Sequence, residues 1–315
     1  MTTKDNMLRA CRLAFIAVAG LLTACSSDDD NTVGGDSQSP EAPIRIEVEV
    51  NEEPMVDASD QARETRGEAT TTATLSGFKM YAVNNASTVG SYGVSKSNNT
   101  WTISPGTWPS GNNPVDFYAN TGGTFNLNGG HPYVRFEVAE NASTQHDLLV
   151  AKKMQQPRPT DGVGKVSLTF SHACAAVAFR VYITNTLKER LKGNLTVNSI
   201  VLRNVYNDGK YYFNSGWNDV NYVKDNNDQP VKTYYTLTNS SLSVGILAEV
   251  QDLSSNDIFV IPQTRTANGT EDMYLEISYT FTGQKNNIAI IPLGVTWETG
   301  MRYTYDIKLG TTLIQ

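Results

Sequence analysis

The chain has 315 residues, with 32 acidic against 25 basic side chains, a formal net charge of -7 and a pI near 5.1. This balance leaves no basic patch to neutralise phosphates and argues against a nucleic-acid partner. Of its three cysteines only Cys174 lies beyond the first 25 residues, so the body of the protein has no intramolecular disulfide available to it.

Lys4, Arg9 and Arg12 precede an apolar run from Leu13 to Ala24, the charged-then-apolar order of a secretory signal, which reads more cleanly from Met7 than from Met1. The run is shorter than the about 20 apolar residues that a spanning helix needs. It closes on Leu22-Thr23-Ala24-Cys25, a lipobox, which predicts cleavage after residue 24 and acylation of the Cys25 thiol. One acyl chain holds a protein to a membrane only marginally, and two or more make the attachment stable. Residues 25–43 hold Asp28, Asp29 and Asp30 and are rich in Ser, Gly and Pro, a flexible acidic tether.

Ile44 to Val50 alternates strictly, so that Ile44, Ile46, Val48 and Val50 share one face of a strand and call for a hydrophobic groove. Residues 51–74 turn polar again and carry Arg63 and Arg66 in Ala62-Arg63-Glu64-Thr65-Arg66-Gly67. From Leu75 onward short strands alternate with turn residues: Phe78 to Val83, Val115 to Ala119, Tyr133 to Val138, Val166 to Phe170, Val177 to Ile183, Val231 to Leu237, Ile258 to Ile261, Met273 to Phe281, Ile288 to Pro292 and Arg302 to Leu309. Asn207-Asp208-Gly209 predicts a hairpin between Ser199–Tyr206 and Lys210–Phe213. A brief helical turn is expected only at Thr186 to Leu191. The pattern is all-β. About 290 residues after signal removal suffice for two domains, and β-sandwiches in tandem are expected over 44–156 and 157–315, divided within the polar stretch Lys152 to Gly164.

The chain has no Gly-rich phosphate loop, paired metal-spaced histidines, nucleophile elbow or CxxC. No catalytic residue, metal or cofactor is therefore expected, and the protein reads as a non-enzyme. His131, His146 and His172 are widely spaced, and His172 at a strand end fits a hydrogen-bonded structural role. Cys174 within Ala173-Cys174-Ala175-Ala176 reads as a small buried hydrophobe. Asp225-Asn226-Asn227-Asp228 offers oxygens to calcium but lacks the EF-hand spacing, and a solvated turn suits it better. Tyr211, Tyr212, Trp217, Tyr222, Tyr234 and Tyr235 suit core and cross-strand packing, with a sugar-stacking platform, and hence a surface glycan-binding lipoprotein, as the alternative.

In order, Trp101, Trp108-Pro109, Val115-Asp116-Phe117-Tyr118-Ala119, Asp147-Leu148-Leu149-Val150-Ala151, Val166 to His172, Ile261-Pro262-Gln263 and Trp297-Glu298-Thr299-Gly300-Met301-Arg302-Tyr303-Thr304-Tyr305 resemble the fimbrillins, the subunits of type V pili, across nearly all of residues 75–309. The resemblance implies two transthyretin-like sandwiches in a surface-exposed outer-membrane lipoprotein, with the acidic run after Cys25 similar to the export tag of lipoproteins in Bacteroides-like bacteria. It further implies cleavage between Arg66 and Gly67, with Arg63 as fallback. That cut would remove the strand Ile44 to Val50 and admit a strand donated by another subunit of the fimbrium. Only Gly310 to Gln315 follow Leu309, which in this family suits a tip or accessory subunit, one that meets a host or bacterial surface receptor through its second domain.

Overall fold

The computed structural model describes residues 43–50, 71–141, 144–160, 163–183, 195–231, 233–238, 242–244, 251–252, 257–268, 272–281 and 286–309. All the regular elements within them are strands: β1 Ile44–Val50, β2 Gly77–Asn84, β3 Ser87–Ser97, β4 Thr100–Ser104, β5 Val115–Asn120, β6 Thr124–Asn128, β7 His131–Glu137, β8 Leu149–Gln156, β9 Gly164–His172, β10 Ala175–Ile183 and β11 Leu195–Val205. They continue with β12 Asp208–Tyr212, β13 Gly216–Asn221, β14 Thr233–Thr238, β15 Leu242–Val244, β16 Gln251–Asp252, β17 Ile258–Val260, β18 Thr264–Arg265, β19 Tyr274–Phe281, β20 Asn287–Pro292, β21 Val295–Thr296 and β22 Arg302–Leu309. The helical turn expected at Thr186 to Leu191 lies outside the described residues.

Turn chemistry sets much of the early topology. β2–β3, β3–β4 and β6–β7 are joined by two-residue turns at Asn85-Ala86, Asn98-Asn99 and Gly129-Gly130, all six with positive φ. Two successive positive φ angles define the turn whose twist matches a right-handed hairpin, and Asn and Gly enter that region at least cost. A seven-stranded sheet results, in the order β1-β9-β8-β5-β2-β3-β4. Its ends approach each other: the Ile44 amide donates to the Gly106 carbonyl at 2.8 Å, and Pro43 bridges to Thr107 just past β4. The sheet is thereby nearly closed into a barrel around one hydrophobic core that contains Phe78, Met80, Phe117, Val166, Leu168 and Phe170.

A second core, containing Val134, Phe136, Ile200, Leu202, Tyr235, Ile258 and Ile277, lies among the remaining sheets. These run β14-β11-β19-β20, with β15 also on β11; β16 and β17 on one edge of β10 with β22 on the other; β13-β12-β7-β6; and the pair β18-β21. The β6–β7 hairpin thus comes from the first half of the chain but pairs with β12 from the second. Across that join Arg135 donates from Nε and a terminal nitrogen to Asp208 at 3.1 and 3.2 Å.

Three sequence expectations change. β9, expected to open the second sandwich, pairs with β8 and β1 and turns Val166, Leu168 and Phe170 into the first core, where an apolar row was needed to complete the sheet. Lys152 to Gln156, expected to begin the boundary between domains, continue β8 alongside β5, and β2, β5 and β8 already place Val83, Tyr118 and Val150 in the second core. The hairpin across Asn207-Asp208-Gly209 does not form. β11 pairs with β14, β15 and β19, while β12 pairs with β7 and β13. None of the three residues takes positive φ. Asn207 instead binds Asn221 and Val138 through its main chain and the Val223 amide through its side chain, forming a corner between sheets.

Gly123 is where a turn most needs its glycine: φ is +74°, and an added Cβ would stand 2.4 Å from the Arg135 carbonyl oxygen. Gly123→Ala should cost about 2 kcal/mol or more in chemical denaturation, because left-handed strain and overpacking add. Gly129→Ala meets no atom within 4 Å and should cost about 1 kcal/mol from strain alone. Equal losses would show that the close approach is unimportant.

Candidate functional site

The structure draws attention to the place where β1 closes the first sheet. Its seven residues lie parallel to β9, from Ile44 opposite Gly164 to Val50 opposite Phe170. The Gly164 amide also donates to the Pro43 carbonyl at 2.8 Å. Alternation then sorts the side chains. Ile44 and Ile46 are 7 and 9 % exposed and enter the first core, and Val48 packs partly against it. The opposite face shows Arg45, Glu47 and Glu49 to solvent. The main chain of Val50 completes the ladder.

Aromatic rings shape the surroundings. Phe170 meets Phe78 edge-on with centroids 4.8 Å apart, Phe78 meets Trp101 at 5.5 Å, and Trp108 stands edge-on to Phe117 at 5.2 Å. The Trp108 ring lies so close to the start of β9 that a Cβ on Gly164 would be 2.6 Å from it, so only glycine fits there. On the solvent side Lys165 Nζ lies 2.7 Å from a Glu47 carboxylate oxygen, and Ser167 donates to the other at 3.2 Å. The Lys165 hydrogen bond is the main reason that the Glu47 pKa is lowered from its ordinary value of 4.5.

The chain is fastened again beyond the segment that follows β1. The Leu75 amide donates to the Thr71 carbonyl at 2.8 Å, Lys96 Nζ donates to the Thr72 carbonyl at 2.9 Å, and Leu75 is buried. Arg63, Arg66 and Gly67 fall in sequence between these two anchored stretches and, like Cys25, lie outside the described residues.

The other candidates resolve into structure. His172 Nδ1 bonds the carboxylate of Asp147, a partner 25 residues away that sequence spacing could not reveal. The neighbouring Cys174 thiol is buried, and desolvation, aided by Asp147, pushes its pKa up. That is the wrong direction for a nucleophile, which must reach the thiolate. Asp225 Oδ1 accepts the amides of Gln229 and Asn227 at 2.8 and 2.9 Å, bonds that lower its pKa and make the acidic run a side-chain-closed turn. Among the described residues no group of His, Cys, Asp and Glu is placed to hold a metal ion.

Five of the six candidate aromatics are buried or half-buried in packing, and Tyr234 is exposed. Tyr235 is in the core, Trp217 donates from Nε1 to the Ala173 carbonyl at 2.6 Å, and Tyr211 meets Trp217 edge-on at 5.5 Å. Tyr222 donates to the Asn204 carbonyl, Tyr212 leans on Tyr133, and the Arg203 guanidinium lies over Tyr234. They do not assemble into one stacking platform.

Several of the short sequence motifs meet near the start of β10. Gln263 and Trp297 exchange main-chain hydrogen bonds of 3.1 and 2.9 Å, the buried Gln263 amide brackets the main chain of Tyr206, and Trp297 donates to the Tyr305 hydroxyl. The Gly300 amide donates to the Cys174 carbonyl. Arg302 grips Asp257 with bonds of 2.7 and 2.9 Å across β10. These residues hold the fold together and leave β1 as the functional candidate.

The family model described as fimbrillin-like matches residues 61–315. The chain belongs to the fimbrillin-like family. Among solved structures it is similar to a fimbrial protein from Bacteroides vulgatus, with a TM-score of 0.56 at 17% identity over 87% of this chain and 96% of that one. It is also similar to a candidate cell adhesion protein from Bacteroides eggerthii, with a TM-score of 0.51 at 15% identity over 86% of this chain and 87% of that one. At these identities the likeness establishes the shared all-β fold. Among curated proteins the chain has no match.

Ile46→Ala should destabilise the first core by about 2–5 kcal/mol, and Ile46→Asp should detach β1, read as loss of hydrogen-exchange protection at the amides of β9 while β11 and β19 stay protected. Protection lost equally throughout would contradict a local role for β1. The lowered pKa of Glu47 means that its ion pair contributes fully above pH 4.5 and is lost as pH falls through the lowered value. The melting-temperature difference between the native chain and Glu47→Gln should therefore be small at neutral pH, because the pair is exposed, and vanish in acid.

Proposed function

We propose that this chain is a cell-surface subunit of a fimbrium, exported as an outer-membrane lipoprotein through Cys25 and activated by cleavage between Arg66 and Gly67. The cut releases β1, and a strand from another subunit takes its place. The single observation that carries this reading is the position of β1. It is an alternating strand that closes the first sheet, is bonded along one edge to β9, and precedes in sequence the segment containing Arg66 that leads to β2.

Physical chemistry supports the exchange. Ile44 and Ile46 together contribute about 3–6 kcal/mol of apolar burial before entropy. Without them the side of β9 turned away from β8 becomes an unpaired edge beside an exposed apolar trough. Unpaired strand edges accept strands from other chains, with main-chain bonds giving affinity and alternate side chains giving register. Cleavage at Arg66 also severs the body from Cys25, so the lipid attachment lasts only until processing. Family membership favours other pilus subunits as partners, and the transthyretin-like character of the two halves belongs to the same reading. Glycan capture has no comparable support, since Trp217, Tyr222 and Tyr212, among the aromatics that suggested it, are engaged with the Ala173 and Asn204 carbonyls and with Tyr133.

The test is limited digestion of the full chain with an arginine-specific protease. One early cut, giving a body that begins at Gly67, is expected. That body should bind a synthetic peptide of Ile44–Val50 and fail to bind the same peptide carrying Asp in place of Ile46. Resistance at Arg66 and Arg63, or a cut body indifferent to the peptide, would overturn the proposal.

A further inference from the structure

A second edge of the molecule is apolar and uncharged. β20 ends the sheet β14-β11-β19-β20, and among the described residues the side of Ile288–Ile291 turned away from β19 has no main-chain partner. Exposed edges are ordinarily guarded by charge, proline, bulges or brevity. The other edges of these sheets follow that rule. β22 carries Arg302, β14 meets β11 through two register shifts, β13 carries Asp219, and β6 is five residues long. β20 lacks both charge and bulges. It pairs with β19 without a shift, carries no charge from Asn287 to Pro292, and meets its only proline at its last residue. Its outward side chains are Ile288 and Ile290, 62 and 46 % exposed, while Ala289 between them is buried.

We propose that β20 is a homotypic edge, through which two copies of this chain pair antiparallel about a two-fold axis. The sequence of the strand selects both the occupant and the register. Directly opposed residues must share a face, so a two-fold register has to keep outward residues opposite outward residues. Centring on Ala289 sets Ile288 of each copy against Ile290 of the other, joining four outward isoleucines into one patch and leaving the two small alanines facing inward. Shifting the centre by one residue in either direction sets an isoleucine opposite Asn286 or Pro292. Charge also permits a second copy, although the whole chain carries -7. The edge itself is uncharged, and the nearest acid on the outer face, Glu276, is bound by Arg203 at 2.8 and 2.9 Å. A six-residue edge buries far less than the about 1,200–2,000 Å² of a stable interface, so the pairing is weak and becomes effective where copies are held close together.

The test uses the full chain with Cys11→Ser and Cys25→Ser in sedimentation over a concentration series. A monomer–dimer equilibrium is expected, and Ile288→Lys with Ile290→Lys should abolish the dimer without lowering the melting temperature, because both positions are exposed. Register is read separately. An equimolar mixture of Ile288→Cys and Ile290→Cys chains should oxidise to a covalent dimer faster than either chain alone, because opposed strand residues lie within disulfide reach. A chain that stays monomeric, a dimer that survives the lysines, equal crosslinking in all three samples, or a dimer lost instead on Ile46→Asp would each overturn the proposal. The last outcome would assign association to β1, and failure at β20 leaves the reading of β1 untouched.

Discussion

The parallel ladder between β1 and β9 is the constraint on which the first half of the molecule depends. It closes a sheet that otherwise ends at β9 on one side and β4 on the other, and it supplies two isoleucines to the core. Yet the strand is held unequally. Seven residues pair along one edge, while on the β4 side the main-chain bonding among the described residues is at its beginning, at Ile44 with Gly106 and Pro43 with Thr107. Burial makes the strand valuable to the fold, and the weak second edge means that its departure breaks one full ladder rather than two.

The second half is tied in the opposite manner. β10 has partners on both edges, eight residues of β22 pair along it, and Arg302 reaches across to Asp257. Arg and Asp are both largely buried there. Removing either would strand a charge, a loss of about 3–5 kcal/mol. Around this core the polar side chains fix segment to segment: Gln263 to Tyr206, Trp217 to Ala173, Asn204 to Asp272. Such bonds specify one arrangement, since each leaves an unsatisfied group if the packing shifts.

Legibility in the sequence followed the side chains. β1 was readable because its faces differ so sharply, and the strands around Phe78, Phe117 and Val134 because they bury aromatic and β-branched residues. Residues 152–156 were not: their outward side chains are Lys, Met and Gln, and only main-chain pairing with β5 makes them strand. β3 buries just Tyr92 and Val94 among serines and glycines, so its pattern is faint. The Asp208-Gly209 pair carried a true turn preference that distant bonds to Asn207 overrode. Partner choice is the larger gap. Nothing local to Ile44 says that its neighbour is Gly164, because parallel pairing joins segments far apart in sequence. Similarly, Asp147 gives no local sign that it will meet His172.

The separation of the two cores decides what losing β1 would mean for the rest of the protein. Ile44 and Ile46 pack with Phe78, Val166, Leu168 and Phe170, and residues 44–48 have no part in the core built around Ile200, Tyr235 and Ile277. Opening the first sheet therefore exposes one apolar trough while the second core keeps its contacts. The β6–β7 hairpin reinforces this asymmetry, because Val134 and Phe136 anchor part of the first half in the second core. A body so divided can hold its shape while one strand position stands empty, which is the condition that strand replacement places on any folded acceptor.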